Sequence, residues 1–189
     1  MIRVRTLCLY ERQLDTPVTQ GPLPPGVELA VWDAPPAAGD AGRPWQPEAE
    51  RRIREGQVCV VARHGGEVIA YCWLTWRPEW VAEVDRLVVP GPDEAYLYEA
   101  FTEPGWRGRG LFPAMLFRLL SYAWARGRRR ALIFVLTNNR ASRRAIEKGG
   151  FELFQTVSKV ELGGLRRLLF RGPRAGRARV TLVRRTDGT

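Results

Sequence analysis

The chain has a single histidine, His64, and only two lysines, Lys148 and Lys159, among 189 residues. One histidine and three dispersed cysteines (Cys8, Cys59 and Cys72) offer no ligand set for a zinc site, so no metal is expected. An odd cysteine count without close pairing also argues against a disulfide framework, and the thiols read as buried packing groups. No apolar run reaches the roughly 20 residues that a membrane-spanning helix needs. The start, Met1-Ile2-Arg3-Val4-Arg5, lacks the apolar core of a signal peptide. The expectation is a cytoplasmic chain with no membrane partner. There is no internal repeat.

What the sequence does have is arginine, unevenly placed. The net charge is +10. Residues 1–104 carry ten basic and sixteen acidic side chains, while residues 105–148 carry eleven basic ones against Glu147 alone. Residues 166–189 add eight arginines against Asp187. A positive field concentrated in this way suits a polyanionic ligand near residues 105–148, with nucleic acid as the competing and less favoured partner. The length suits one domain with a real core.

Along the chain, 4–10 alternates as a strand, 15–26 is a proline-rich connector, and 27–32 is a second short strand. A loop over 33–47 contains Trp45, and a polar helix over 48–55 stops at Gly56. The runs 57–63 and 67–76 are joined by His64-Gly65-Gly66, a hairpin signal in which His64 decorates the turn. Trp73, Trp76 and Trp80 fall together at the far end of this hairpin and read as packing groups. One short strand is expected within 81–89 and an aromatic one over 96–102. After Trp106-Arg107-Gly108-Arg109-Gly110-Leu111-Phe112-Pro113, apolar residues at Phe112, Leu116, Leu119, Leu120 and Ala123 define an amphipathic helix ending at Gly127. The continuous apolar run 131–137 reads as a strand buried on both faces. A helix over 139–148, an antiparallel pair over 151–160 and 165–170, and a possible strand at 180–183 complete the chain. The outline is an N-terminal strand and connector (1–26), a central domain (27–170) and a basic tail (171–189).

A glycine turn that opens a helix presents bare N–H groups at the positive dipole end, which is an anion site. Neither common phosphate fingerprint fits. The Gly-x-x-x-x-Gly-Lys-Ser/Thr loop is absent, and Gly108-x-Gly110 meets Pro113 where a dinucleotide fingerprint wants a third small residue. Arg107-Gly108-Arg109-Gly110-Leu111-Phe112 matches R/Q-x-x-G-x-G/A except at Phe112. Downstream, Asn139, Ser142, Ile146, Gly150 and Phe151 follow the pattern N-x-x-A/S-x-x-x-Y-x-x-x-G-F. Together these segments resemble the GNAT superfamily of acyl-CoA-dependent N-acyltransferases over about residues 57–160.

The resemblance implies a mixed α/β (α+β) domain: a mostly antiparallel sheet of six to seven strands, containing one splayed parallel pair and flanked by helices. It implies acetyl-CoA as co-substrate, with the amides of Gly108, Arg109, Gly110, Leu111 and Phe112 around the pyrophosphate and Arg107 and Arg109 adding charge. Arg143 or Arg144 would meet the 3′-phosphate. Asn139 would meet the pantetheine arm or cap its helix, near Ser142, and the backbone of Phe101 and Thr102 would bond the arm. Glu99 is expected as base or ammonium ligand and Tyr98 as a neighbouring catalytic group. Strand parity separates these two unless a bulge intervenes. Ile146 occupies the place of the family's acid tyrosine. That leaves a donor such as Tyr98 or Ser142, a thiolate protonated by water, or lost catalysis. The expected function is transfer of an acetyl group to a primary amine of a small molecule or peptide, with a homodimer possible. The alternatives are a non-catalytic acyl-CoA-binding module and a nucleic-acid-associated basic protein.

Overall fold

The computed structural model of the chain describes residues 2–16, 21–34, 46–172 and 180–184. Its elements are β1 (Ile2–Gln13), β2 (Val27–Trp32), α1 (Gln46–Arg54), β3 (Val58–His64), β4 (Glu67–Thr75), β5 (Glu79–Val81) and β6 (Arg86–Val89). There follow β7 (Glu94–Thr102), a 3₁₀ turn (Pro104–Trp106), α2 (Leu111–Ala125), β8 (Arg130–Leu136), α3 (Arg140–Lys148), β9 (Glu152–Leu162), β10 (Leu165–Arg171) and β11 (Thr181–Val183). Eight strands form one sheet in the order β10-β9-β1-β8-β7-β4-β3-β2. Every neighbouring pair is antiparallel except β7 and β8. Most of the expected loop over 33–47 and part of the tail from 171 lie outside the described residues.

The local chemistry explains most boundaries. Gly65 and Gly66 both take positive φ (58° and 82°) between paired His64 and Glu67, the backbone that a two-residue hairpin requires. Gly127 (φ 79°) follows the end of α2. The apolar stripe of α2 holds at Leu116, Leu119, Leu120 and Ala123 and differs from expectation only at its first member. Leu111, at 2% exposure, is the first core residue, and Phe112 is only half-buried.

Three layers result. One face of the sheet is covered by α2 and α3, whose Leu116, Leu119, Leu120 and Ile146 pack on Tyr10, Leu74, Leu97 and Ile133. The other face is covered in two places. Ala49 and Ile53 of α1 pack on Trp32, Val61 and Trp73, while a small second sheet in the order β11-β6-β5 packs on Leu9, Tyr96, Leu132 and Val157.

This second sheet corrects the sequence reading. The single strand expected within 81–89 is two strands, because Asp85 adopts a left-handed φ of 50° and turns the chain between them. The main sheet likewise carries eight strands rather than six to seven. The three tryptophans do not form one cluster: Trp73 packs with α1, Trp76 with the opposite core, and Trp80 is 38% exposed. All three cysteines are free and buried, and burial pushes the Cys72 thiol up to about 12.

A buried ion cluster ties the centre of the sheet. The Arg130 guanidinium, on β8, bonds Glu11 of β1 at 2.5 Å and Glu94 of β7, and all three are at most 9% exposed. The second oxygen of Glu94 accepts from the amide of Gly91 at 2.8 Å. Removing the cation would strand two carboxylates in the interior. Arg130→Met is therefore expected to destabilise the fold by about 3–5 kcal/mol. Urea unfolding measures this, and the triple change with Glu11→Gln and Glu94→Gln should recover part of the loss.

Candidate active site

The pairing of β7 with β8 runs from Glu94↔Arg130 to Leu97↔Ile133 and then stops, although both strands continue. On the far side β7 stays paired with β4 as far as Thr102, and β8 with β1 as far as Leu136. The two parallel strands therefore splay apart and leave the facing backbone edges of 98–102 and 134–136 without a strand between them. An unpaired strand edge is a row of donors and acceptors ready for an extended ligand.

A groove of about 600 Å³ lies at this splay. It is lined by Phe101 and Thr102 of β7, by Arg107, Gly108, Gly110, Leu111 and Phe112 of the glycine turn, and by Asn139, Ser142, Arg144 and Lys148 of α3 and its cap. Of the cofactor residues expected from the sequence, Arg109 alone is not in the lining. Its guanidinium stacks on the Trp106 ring, 4.9 Å from the centroid.

The turn itself has the form of an anion cradle. Gly108 and Gly110 take φ of 76° and 81°, and nothing beyond the adjoining residues lies within 4 Å of where a Cβ would stand. No side chain caps α2. The amides of Gly108 to Phe112 donate to no acceptor among the described residues. Those amides, the helix dipole and Arg107, Arg144 and Lys148 make a positive surface along one wall. His64 and Trp106 pack with ring centroids 4.7 Å apart and brace the turn from behind, which gives His64 a packing role.

Two residues with alternative expected roles have clear contacts. Arg143 donates to the Tyr10 hydroxyl (3.1 Å) and the Thr137 carbonyl (3.3 Å), and it lies 4.0 Å from Glu147, so it braces α3 against β1. Arg144 instead faces the groove. The Asn139 side chain accepts from the Ser142 amide at 3.1 Å and so caps α3 while also lining the groove.

The register around Glu99 resolves the parity question. Tyr71 opposes Phe101 and Trp73 opposes Tyr98, so Glu99 and Ala100 together face Cys72 alone. This is a β-bulge, and Glu99 takes the left-handed φ of 45° that it demands. Strict alternation would have sent Tyr98 and Glu99 to opposite faces. The bulge brings both to Arg52 of α1, which bonds Glu99 at 2.7 Å and stacks over the Tyr98 and Trp73 rings at 5.5 and 5.1 Å. It also returns Phe101 to the Tyr98 side, against the parity expectation, where it stacks on Tyr71.

Around this pair lies an acidic, aromatic corner. The Tyr98 hydroxyl donates to Gln57 Oε1, and Gln57 Nε2 donates to Glu79 at 3.2 Å. Burial pushes the Tyr98 phenol well above its usual value, with Arg52 opposing and Glu79 and Glu99 reinforcing the shift. Tyr98 is thus a proton donor or hydrogen-bonding group and not a phenolate. Arg52, Gln57 and Glu79 were missed by sequence reasoning, since each lies more than 15 positions from the bulge and no local pattern links them. Ile146, at 1% exposure, is part of the core and offers nothing to the groove.

A splayed parallel pair, a glycine turn opening a helix, and a capped helix across the groove define a class of acyl-carrier-dependent transferase. Residues 27–151 match the model of the Acetyltransferase (GNAT) family, and the chain belongs to that family, whose members are acyl-CoA-dependent N-acetyltransferases. An uncharacterized N-acetyltransferase of Methanocaldococcus jannaschii is 30% identical over 78 residues, which are 41% of this chain and 32% of that protein. Among solved structures, a GCN5-related N-acetyltransferase from Sphaerobacter thermophilus is similar with a TM-score of 0.59 and 17% identity, over 85% of this chain and 52% of the other. An acetyltransferase of the same family from Colwellia psychrerythraea has a TM-score of 0.52 and 17% identity, over 85% and 55%. The chain therefore spans about half the length of these structures and about a third of the curated relative. Among the described residues no helix is long and apolar enough to cross a membrane, and no three or more His, Cys, Asp or Glu side chains come together as a metal site would need.

The cap has a measurable consequence. Asn139→Ala is expected to cost about 1 kcal/mol in urea unfolding. Ser142→Ala should change stability little, because its amide and not its hydroxyl serves the cap.

Proposed function

We propose that the protein transfers an acetyl group from acetyl-CoA to a primary amine by direct attack in a ternary complex. The observation that carries this reading is the end of β7–β8 pairing at Leu97↔Ile133, beside a groove whose far wall is the uncapped glycine turn. In this reading the pantetheine arm lies between the splayed strands as an extra strand bonded by the backbone of Phe101 and Thr102. The pyrophosphate sits on the amides of Gly108 to Phe112, beside Arg107 and Arg109. Arg144 and Lys148 meet the remaining phosphate, and Asn139 and Ser142 flank the arm. A small-molecule or peptide amine fits the acceptor side, and a cytoplasmic location belongs to the same reading.

The acceptor reaches the thioester from the side of α1, where Glu99 and Glu79 would attract a cation. An ammonium must lose a proton before it attacks. Glu99, half-exposed beside Arg52, takes the role of base or ammonium ligand. As the acyl carbon turns tetrahedral, a backbone amide on the free β7 edge stabilises the developing oxyanion. Tyr98 orients the acceptor or redirects its proton to the departing thiolate, its hydroxyl bonded to Gln57, which in turn donates to Glu79.

A second reading, a non-catalytic acyl-CoA-binding module, is favoured by the buried Ile146 and by the engagement of Glu99 with Arg52. The two separate on turnover. Acetyl-CoA is expected to raise the melting temperature, and Gly108→Ala/Gly110→Ala should abolish that rise, because both positions need positive φ. Absence of the rise in the unaltered protein would sink both readings, whereas protection without turnover on an amine panel leaves the second. For an active protein, Glu99→Gln should lower kcat about 100-fold or more. Tyr98, held protonated by burial, should produce no loss of rate up to about pH 10; an unchanged kcat in Tyr98→Phe would remove it from this role.

A further inference from the structure

A second cavity, of about 390 Å³, lies on the face of the sheet opposite α2 and α3, between the β9–β10 hairpin and the small sheet. It shares no lining residue with the groove at the splay. Its wall carries five cations, Arg86, Lys159, Arg166, Arg167 and Arg184. Lys159 is 7% exposed and is neutralised by Asp85 at 3.0 Å and Glu161 at 3.5 Å. Arg166 shares the same two carboxylates at 3.6 and 3.4 Å. Two acids thus balance two bases and form a fixed floor. Arg86, Arg167 and Arg184 have no carboxylate partner among the described residues.

The placement of Arg86 and Arg184 works against stability. Val183 pairs with Leu87 as the last pair of the β11–β6 ladder, and Arg184 and Arg86 are the residues that adjoin that pair. Like charges gathered in this way beside a strand pair repel. Asp85, which turns the chain to bring Arg86 over the floor, holds a left-handed φ of 50° that costs a non-glycine residue further. Local conflicts of this kind concentrate where a site is built for something other than folding. Three guanidinium forks around one cavity match the oxygens of a phosphate group better than any neutral ligand.

We propose that this cavity binds a phosphate-bearing small molecule, held by Arg86, Arg167 and Arg184 above the Lys159–Asp85–Glu161 floor. The site is separate from the glycine turn and does not depend on the chain's acetyl transfer. Its occupant joins β6, β10 and β11, and so fastens the C-terminal strand to the body of the domain.

The test is titration of the full chain with inorganic pyrophosphate at constant ionic strength, read by calorimetry and by melting temperature. The expected result is saturable binding at one site beyond the glycine turn, weakened about tenfold or more in Arg86→Gln/Arg167→Gln/Arg184→Gln and in the single variant Arg167→Glu. Binding should persist in Gly108→Ala/Gly110→Ala, which separates this cavity from the cofactor groove. None of the three arginines has a carboxylate partner to lose among the described residues, so the unliganded variants should melt no lower than the parent. Equal binding by parent and arginine variants, or binding lost only in the glycine variant, overturns the proposal. So does a short single-stranded oligonucleotide that displaces pyrophosphate and binds with a steeper salt dependence than three contacts allow, since the occupant would then be a polymer.

Discussion

The buried contact of Arg130 with Glu11 and Glu94 sets where the two parallel strands may part. It fastens β1, β7 and β8 at the end where β7 enters the sheet. From that fixed end only four residue pairs join β7 to β8. Each strand is then held by its other neighbour, β4 on one side and β1 on the other. Twist between outer partners that are firmly paired opens the gap. An ionic cluster buried this deeply adds little net stability over an apolar one, because desolvation offsets its Coulomb energy. Its consequence is geometric: the two strands are held together at one end, and the groove lies at the other.

At the open end, two backbone irregularities do most of the positioning. The positive-φ glycines of the turn leave the first amides of α2 without acceptors, aimed into the groove. The bulge at Glu99 breaks the alternation of β7 and sends Tyr98 and Glu99 to one corner instead of two faces. The first device leaves a row of amides free for an anion, and the second gathers acid, phenol and guanidinium into one corner. The two lie on adjoining stretches of chain, 98–102 and 107–112.

The charge asymmetry acquires a spatial meaning. Part of the positive excess of residues 105–148 lines the groove as Arg107, Arg144 and Lys148. Other members of it are committed elsewhere: Arg130 to the core, Arg143 to Tyr10, and Arg126 to Asp33. The acids of the first 104 residues collect in part around Arg52, Gln57 and Tyr98. The basic residues after 165 contribute Arg166, Arg167 and Arg184 to the second cavity. A uniform halo of arginine is therefore not what the fold makes of the composition.

The sequence by itself determined what depends on near neighbours. Gly108 and Gly110, the Asn139 cap, the Gly65–Gly66 hairpin and the apolar run of β8 each act within a few residues, and each was legible. So were the family motifs, because an amide cradle needs its glycines at fixed spacing. The tertiary structure decided what depends on register and on layers. The bulge at Glu99 follows from how β7 pairs with β4, 26 residues away at Cys72–Tyr98. Whether Arg143 or Arg144 faces the groove depends on where Tyr10 sits. Asp85 splits an apolar stretch into two strands only because a second sheet is there to receive them. Pairing energies between distant segments selected these arrangements, and no window of the sequence contains both partners.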